Sequence, residues 1–301
     1  QLTAVTEGGN TGQRLSTSNA SNHGDIGSNA VDLSYSSISN STTRGATGSN
    51  AVAMGINTAA SGDFSTAMGA NTSAGGTYST AMGINTEASG TGSTAMGAES
   101  EAYGESSTAM GSLVRAYGHN STAMGKYTTA SDFASLVIGQ YNESGYLVTN
   151  NATSYNTANT AFVIGNGTDS SNKSDAFKVM FNGDTTVSND LTVSGDVVIS
   201  SDARLKSNIV SLGSTLSKLL QIDGKSYEMK GKQKIGVLAQ EIKEVFPELV
   251  SEDDNEMLAV NYQGLVPVLI NALKEQDAKM KEQQSEIDEL KEMVQLLVSK
   301  E

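Results

Sequence analysis

Ser201 and Lys206, five residues apart in "SDARLKSNI" (201–209), are the pair whose types and spacing could break a covalent bond. A serine hydroxyl attacks a carbonyl only when a base takes its proton. Residues 201–301 hold no histidine, because His23 and His119 lie in the first 200 residues, and the chain has no cysteine at all. A Ser–His or Cys–His arrangement within this segment is therefore excluded. What remains is a Ser–Lys dyad, in which desolvation or a cationic neighbour turns the lysine into a base. Arg204 is such a neighbour in sequence, although two residues apart the side chains could point in different directions. As a bare spacing, a serine and a lysine five apart describe any surface loop, so the surrounding sequence has to decide.

Other conspicuous residues point to no site. The acidic run Glu252, Asp253, Asp254 and Glu256 reads as a solvated loop, and the two lone histidines form no ligand set. No metal and no cofactor is expected. The net charge is −14, and no basic stripe exists to meet phosphates, so nucleic acid is not expected as a partner. No apolar run approaches the eighteen or so residues of a span, so membrane insertion is not expected either.

The elements that must carry Ser201 begin with a repeat. "AMG" recurs at 53–55, 67–69, 81–83, 95–97, 109–111 and 123–125, always fourteen residues apart. Half a period away stand Gly62, Gly76, Gly90, Gly104 and Gly118, each two residues after an alanine; Asp132 replaces the next glycine of this series. A heptad helix is ruled out, because glycine in every heptad would cost about 1 kcal/mol each. The spacing predicts a coil of two short strands and two turns. Glycine would supply the left-handed turns, and Ala and Met would point inward, with Met54, Met68, Met82, Met96, Met110 and Met124 filling the core. Such coils stack into a β-roll whose core is thin, and oligomerisation is the natural remedy.

"STAMGANTSAGGTYSTAMGINTEASGTG" (65–92) closely resembles the head repeats of trimeric autotransporter adhesins. The resemblance covers roughly residues 46–140 and implies three left-handed parallel β-rolls assembled together. The next segment, 141–200, reads as short strands. Asn182-Gly183 marks a hairpin turn. Val187, Leu191, Val193, Val197 and Ile199 are spaced as alternating strand faces about a turn near Gly195. These stretches resemble the narrow shafts of phage tail fibres.

The last hundred residues are charged and leucine-rich. A short helix is predicted over 212–222, then a strand pair through "KSYEMK" and "QKIGVLAQEI" running into a helix. From about residue 262 a heptad sets in: Tyr262, Val266, Leu269, Leu273, Met280, Ile287, Leu290, Val294 and Leu297, with Gln276 and Gln283 as polar layers. Pro267 is tolerable because it falls in the first turn. The heptad alone admits two, three or four strands.

"SDARLK" (201–206), "IGVLAQEIKEVFPELV" (235–250) and "LAVNYQGLVPVLINALKEQ" (258–276) closely resemble the C-terminal intramolecular chaperone domain of phage tailspikes and tail fibres, peptidase family S74. The resemblance implies a domain that trimerises, guides assembly of the fibre before it, and then cuts itself off before the motif's serine. Ser201 would attack the carbonyl of Ser200, and Lys206 would take the hydroxyl proton and later protonate the leaving amine. Backbone N–H groups or Gln240 would hold the oxyanion, with Arg204 in support.

The expected architecture is mainly β in its first two-thirds: a capping or attachment segment at 1–45, a trimeric left-handed parallel β-roll head at 46–140, and a β-rich shaft at 141–200. A small α+β chaperone domain at 201–301, ending in a long coiled-coil helix from about 262, completes it. The expected function is a homotrimeric tail fibre or receptor-binding protein whose partners are its own copies and a host-surface receptor. Its peptidase activity would be a single intramolecular turnover, with the chaperone domain released from a virion or surface fibre after assembly. The alternative is a bacterial surface or injection-system adhesin that retains the C-terminal domain as a trimerisation module.

Overall fold

Each fourteen-residue period closes one coil, with a five-residue strand and a two-residue strand, as at Thr80–Ile84 and Glu87–Ala88. Successive coils pair in parallel with like on like: Thr80 beside Thr94, Ala81 beside Ala95, Met82 beside Met96, and Glu87 beside Glu101. The computed structural model describes residues 1–253 and 256–299 and divides into two compact units, Gln1–Asp196 and Val197–Glu301. Among the described residues the long strands belong to a 13-stranded sheet and the short strands to a 7-stranded one. The predominantly β first part is thus a roll of stacked coils.

Two alanine rows line the inside, Ala53 to Ala123 on the long strands and Ala60 to Ala130 on the short ones, all fully buried. Between them run buried hydroxyls such as Thr72, Ser79 and Thr86. Alanine hides little apolar surface, so backbone pairing between coils supplies much of the cohesion. The methionines depart from expectation. Neighbours on a strand face opposite sides, so placing Ala53 inward turns Met54 outward, where it is 41% exposed. The methionine row is an outer face of the roll, not its core filler.

The half-period glycines also do a different job. The AMG glycines are left-handed as expected, Gly83 at φ +128°, but the half-period glycines are not. The left-handed positions beside them are Asn50, Phe64, Tyr78 and Ser106, and those at the opposite turn are Asn57, Asn71 and Asn85, then Glu99, Leu113 and Tyr127. Asparagine tolerates that region better than other side chains. Gly90 is required by crowding instead: a Cβ there would lie 2.1 Å from the carbonyl oxygen of Gly104 in the next coil.

An antiparallel hairpin, Leu2–Glu7 with Asn10–Leu15, closes the first end of the roll, and Val31–Tyr35 then joins the long-strand sheet. The buried Arg14 guanidinium ties this cap together through Glu7 (2.7 Å), Asp32 (3.2 Å) and the carbonyl of Gly24 (2.9 Å). At the other end Thr160–Asn166 follows Leu136–Gln140, and Asp175–Met180 pairs antiparallel with Thr185–Val187 about the expected Asn182-Gly183 turn. The strand expectation fails beyond that point. No strand forms between Val187 and Ser200, and Leu191, Val193, Val197 and Ile199 are exposed. A short alternating segment has no face to bury without a second chain or sheet beside it.

The C-terminal unit is small and mixed. Helix α1 (Leu216–Leu219) precedes a hairpin, Lys225–Met229 with Lys232–Gly236, and helix α2 (Ala239–Val245) follows. A second hairpin, Val250–Glu252 with Leu258–Val260, leads to helix α3 (Leu265–Val298), 34 residues and about 51 Å long. Ile242, Phe246 and Val268 form its core, joined by Leu219, Ile222 and Leu265. Helix α1 is shorter than the expected 212–222, because its N-terminus is fixed at Thr215. There the Glu275 carboxylate of α3 accepts the N–H groups of Thr215 and Leu216 and the Ser214 hydroxyl.

These bonds, the Thr215 N–H first, hold the Glu275 carboxyl below its ordinary value. A depressed carboxylate stabilises above the unfolded pKa and loses that contribution as pH falls through the folded one. Protection of the Thr215 and Leu216 amides against hydrogen exchange is therefore expected at neutral pH and lost in acid. Glu275→Gln should show the acid behaviour at pH 7.

Candidate active site

The segment around Ser201 folds as a single 3-10 turn, Ala203–Leu205. Asp202 caps it, accepting the Arg204 N–H at 2.8 Å, and the Lys206 N–H closes it on the carbonyl of Ala203 at 3.1 Å. One turn carries the chain back far enough for five residues to bring their ends together. Lys206 Nζ stands 2.8 Å from Ser201 Oγ. That lies within the range in which a base takes a hydroxyl proton. As an ammonium Lys206 donates to the serine oxygen; as an amine it would accept the hydroxyl proton across the same gap. Both residues are exposed, so the isolated chain does not exclude water from the pair.

The two expected helpers stand elsewhere. Arg204 forks onto Asp202, with Nη2 2.6 Å from Oδ2 and Nε 3.0 Å from Oδ1. This pairing raises the arginine's pKa and lowers the aspartate's. The guanidinium is thus spent on Asp202 and does not act on Lys206. Gln240 lies at the start of α2 in a hollow of about 290 Å³ with Tyr227, Val237 and Tyr262, and makes no hydrogen bond to Ser201 or Lys206. The long side chain that sequence reasoning nominated for the oxyanion is therefore not at the dyad in this chain. Of the acidic run, Glu252 pairs with Lys243 at 2.9 Å and Asp253 accepts the Met257 N–H at 2.9 Å; Asp254 lies outside the described residues.

Sequence reasoning missed the aromatic stacks along the roll, two of them at its turns and one on the short-strand face. Phe64 stacks on Tyr78, Tyr103 on Tyr117 and Tyr127 on Tyr141, with ring centroids 5.1, 5.4 and 4.7 Å apart. Each pair is one period apart in sequence, which is the signal that would have found them. Arg115 joins the short-strand face, its Nε 2.9 Å from Glu101 Oε2 in the coil before.

With this geometry in hand, comparison with known proteins gives two assignments. Residues 46–72, 74–100, 88–113 and 116–141 match the YadA head domain repeat, and residues 201–251 match the chaperone of endosialidase family. One chain thus carries a segment similar to the YadA head repeat and a segment similar to the chaperone of endosialidase. The chaperone match begins at Ser201 itself, and the YadA-type match spans the coils from Ala46 to Tyr141. Comparison with curated proteins gave no match. Both assignments agree with the resemblances carried by the motifs, and together they describe an adhesin or fibre with a chaperone domain. Among the described residues no helix is long and apolar enough to cross a membrane.

Proposed function

We propose that this chain is the subunit of a homotrimeric extracellular fibre that contacts a host surface through its YadA-type head. Its C-terminal domain drives assembly and then severs itself between Ser200 and Ser201. One observation carries the cleavage step: the 2.8 Å contact between Lys206 Nζ and Ser201 Oγ.

The chemistry balances with water alone. Lys206, as the free amine, takes the Ser201 hydroxyl proton while Oγ attacks the carbonyl carbon of Ser200, closing a five-membered ring. The ring opens by breaking the old C–N bond, and the lysine returns the proton to the departing Ser201 amine. The Ser200 acyl group is then an ester on Oγ. Water hydrolyses that ester, leaving a carboxylate at Ser200 and a free serine at the new N-terminus.

Assembly is supported by what a single chain leaves uncovered. Along α3 the seam residues Leu269, Leu273, Ile287, Leu290, Val294 and Leu297 are exposed, and the roll carries its methionine row outward. Packing the seam and the methionine rows against two further copies would cover both. Lysine becomes a base near neutral pH only when desolvated or placed near other cations. In the isolated chain Lys206 is exposed and Arg204 is engaged by Asp202. The missing environment would come from neighbouring copies, so cutting would follow assembly. The exposure of the dyad also favours the second reading, a surface adhesin whose C-terminal domain is a retained trimerisation module.

Leu290→Asp places a carboxylate from every copy in one layer of the seam, without touching the dyad. It should abolish both the trimer, seen by sedimentation as three times 31.2 kDa, and cleavage. Cutting by a monomeric Leu290→Asp chain would overturn the proposed order of events.

A further inference from the structure

The repeat is interrupted at Asp132, and that interruption builds a hollow. The Asp132 carboxylate is fully buried and accepts the N–H of Thr149 (2.6 Å), the N–H of Thr160 (2.8 Å) and the Thr160 hydroxyl. Beside it, Ser131 donates its N–H to the carbonyl of Gly145 (3.0 Å) and its hydroxyl to the carbonyl of Tyr146 (2.9 Å). Gly145 is left-handed, and a Cβ there would meet Thr160 Oγ1 at 2.9 Å. Residues 145–149 are thereby fastened back over the short-strand face of the last coils. An open cavity of about 560 Å³ lies between loop and face, with Glu101, Arg115 and Tyr117 on one wall and Tyr146, Leu147 and Val148 on the other.

The groups around it are specific in what they offer. Arg115 spends Nε on Glu101, which orients the guanidinium, and its two terminal nitrogens have no hydrogen-bond partner among the described residues. The same Glu101 oxygen accepts the Tyr117 hydroxyl at 3.3 Å, so this carboxylate is doubly engaged. Tyr146 lines the same hollow as Arg115 and Tyr117, and the Lys173 ammonium sits 2.9 Å from its ring centroid. A held guanidinium with free terminal nitrogens is a fork for a planar carboxylate. Aromatic and aliphatic walls around a few placed polar groups suit a compact, partly apolar ring.

We propose that this hollow binds an acidic saccharide, with a hexuronate carboxylate on the terminal nitrogens of Arg115 and the C–H face of the sugar against Tyr146 and Leu147. The volume accommodates one or two sugar rings. The inference rests on the fibre reading, in which the methionine face packs inward and the charged short-strand face points outward.

The test uses full-length Ser201→Ala chain, with its mass fixed first by sedimentation. It is titrated calorimetrically with a glucuronic acid disaccharide, with neutral cellobiose, and with a short glutamate peptide. Saturable binding of the uronate is expected, with cellobiose weaker by about tenfold or more, the usual worth of a charge-assisted fork. Arg115→Gln should lose about as much, and Arg115→Lys should not restore it, because the fork is gone. Leu147→Asp alters a residue 76% exposed and should leave the roll intact while repelling the ligand. A uronate that fails to bind, binds Leu147→Asp and Arg115→Gln equally well, or is outcompeted by the glutamate peptide overturns the site. A monomeric mass would count against the trimer alone, since every wall of the hollow belongs to one chain and the titration still decides.

Discussion

On a denaturing gel the freshly made chain is expected to run as two pieces, one ending at Ser200 and one beginning at Ser201, while Ser201→Ala runs whole. Loss in that variant should be complete, because removing Oγ removes the atom that forms the ester. Lys206→Ala keeps the nucleophile but deletes the base 2.8 Å from it. Losing a positioned general base costs about a hundredfold to ten-thousandfold in rate, so this variant should also stay whole over hours. Lys206→Arg should be as inert, since a guanidinium does not give up its proton near neutrality. Arg204→Ala separates the dyad from its surroundings: its guanidinium is bound to Asp202, so cutting should persist. Intact mass would place the break. Cleavage of Lys206→Ala at the wild-type rate would remove lysine from the mechanism, and an uncut wild type would leave a retained trimerisation module.

The second large effect is expected in the roll, from adding one methyl group. Gly83 has φ +128°, and a Cβ on it would lie 1.9 Å from the carbonyl oxygen of Gly97 in the next coil. Neither atom can move without parting two strands that are paired along their whole length. Gly83→Ala should therefore cost about 3 kcal/mol or more per chain, combining backbone strain with a backbone clash. Gly75→Ala is the internal control. There the nearest atoms to a new Cβ are the hydroxyls of Ser61 and Ser89, both 3.8 Å away. That change should be near neutral or slightly stabilising, as glycine gives up chain freedom it does not use. Thermal unfolding of the two variants side by side measures the difference. Equal losses would mean that glycine matters here for composition and not for the contact.

The roll was legible because its signal is periodic. Fourteen-residue spacing, alanine two residues before each half-period glycine, and a glycine in every seven residues that no helix tolerates leave a two-strand coil as the economical reading. What was not legible was the facing of adjacent residues. Ala81 and Met82 are both apolar, and only the alternation along a strand decides that one is inside and the other outside. The left-handed positions were hidden for a related reason: neighbours in the stack hold Leu113 and Tyr127 in a conformation that their own preferences oppose. At the candidate site, the lack of histidine and cysteine in 201–301 excluded the commoner dyads, and the surrounding motifs, not the Ser–Lys spacing, nominated the pair. The positions of Arg204 and Gln240 were not legible. Arg204 had a carboxylate two residues back, and Gln240 was separated from the dyad by a hairpin whose packing no local pattern encodes. The hollow beside Arg115 depends on a loop anchored by Asp132, visible in sequence only as a missing glycine.

Stacking like on like also makes the head a ruler. Because Thr80, Ala81 and Met82 meet the same residues in the next coil, a whole period can be gained or lost while the alanine, methionine and glycine rows keep their pairing. Each period gained or lost would change the length of the roll by about 4.8 Å, one strand spacing, with those rows still in register. In the proposed trimer, chains of unequal count could not keep their methionine rows level along the whole roll. Joint assembly would then favour partners of equal length, which would keep the copies in one fibre matched.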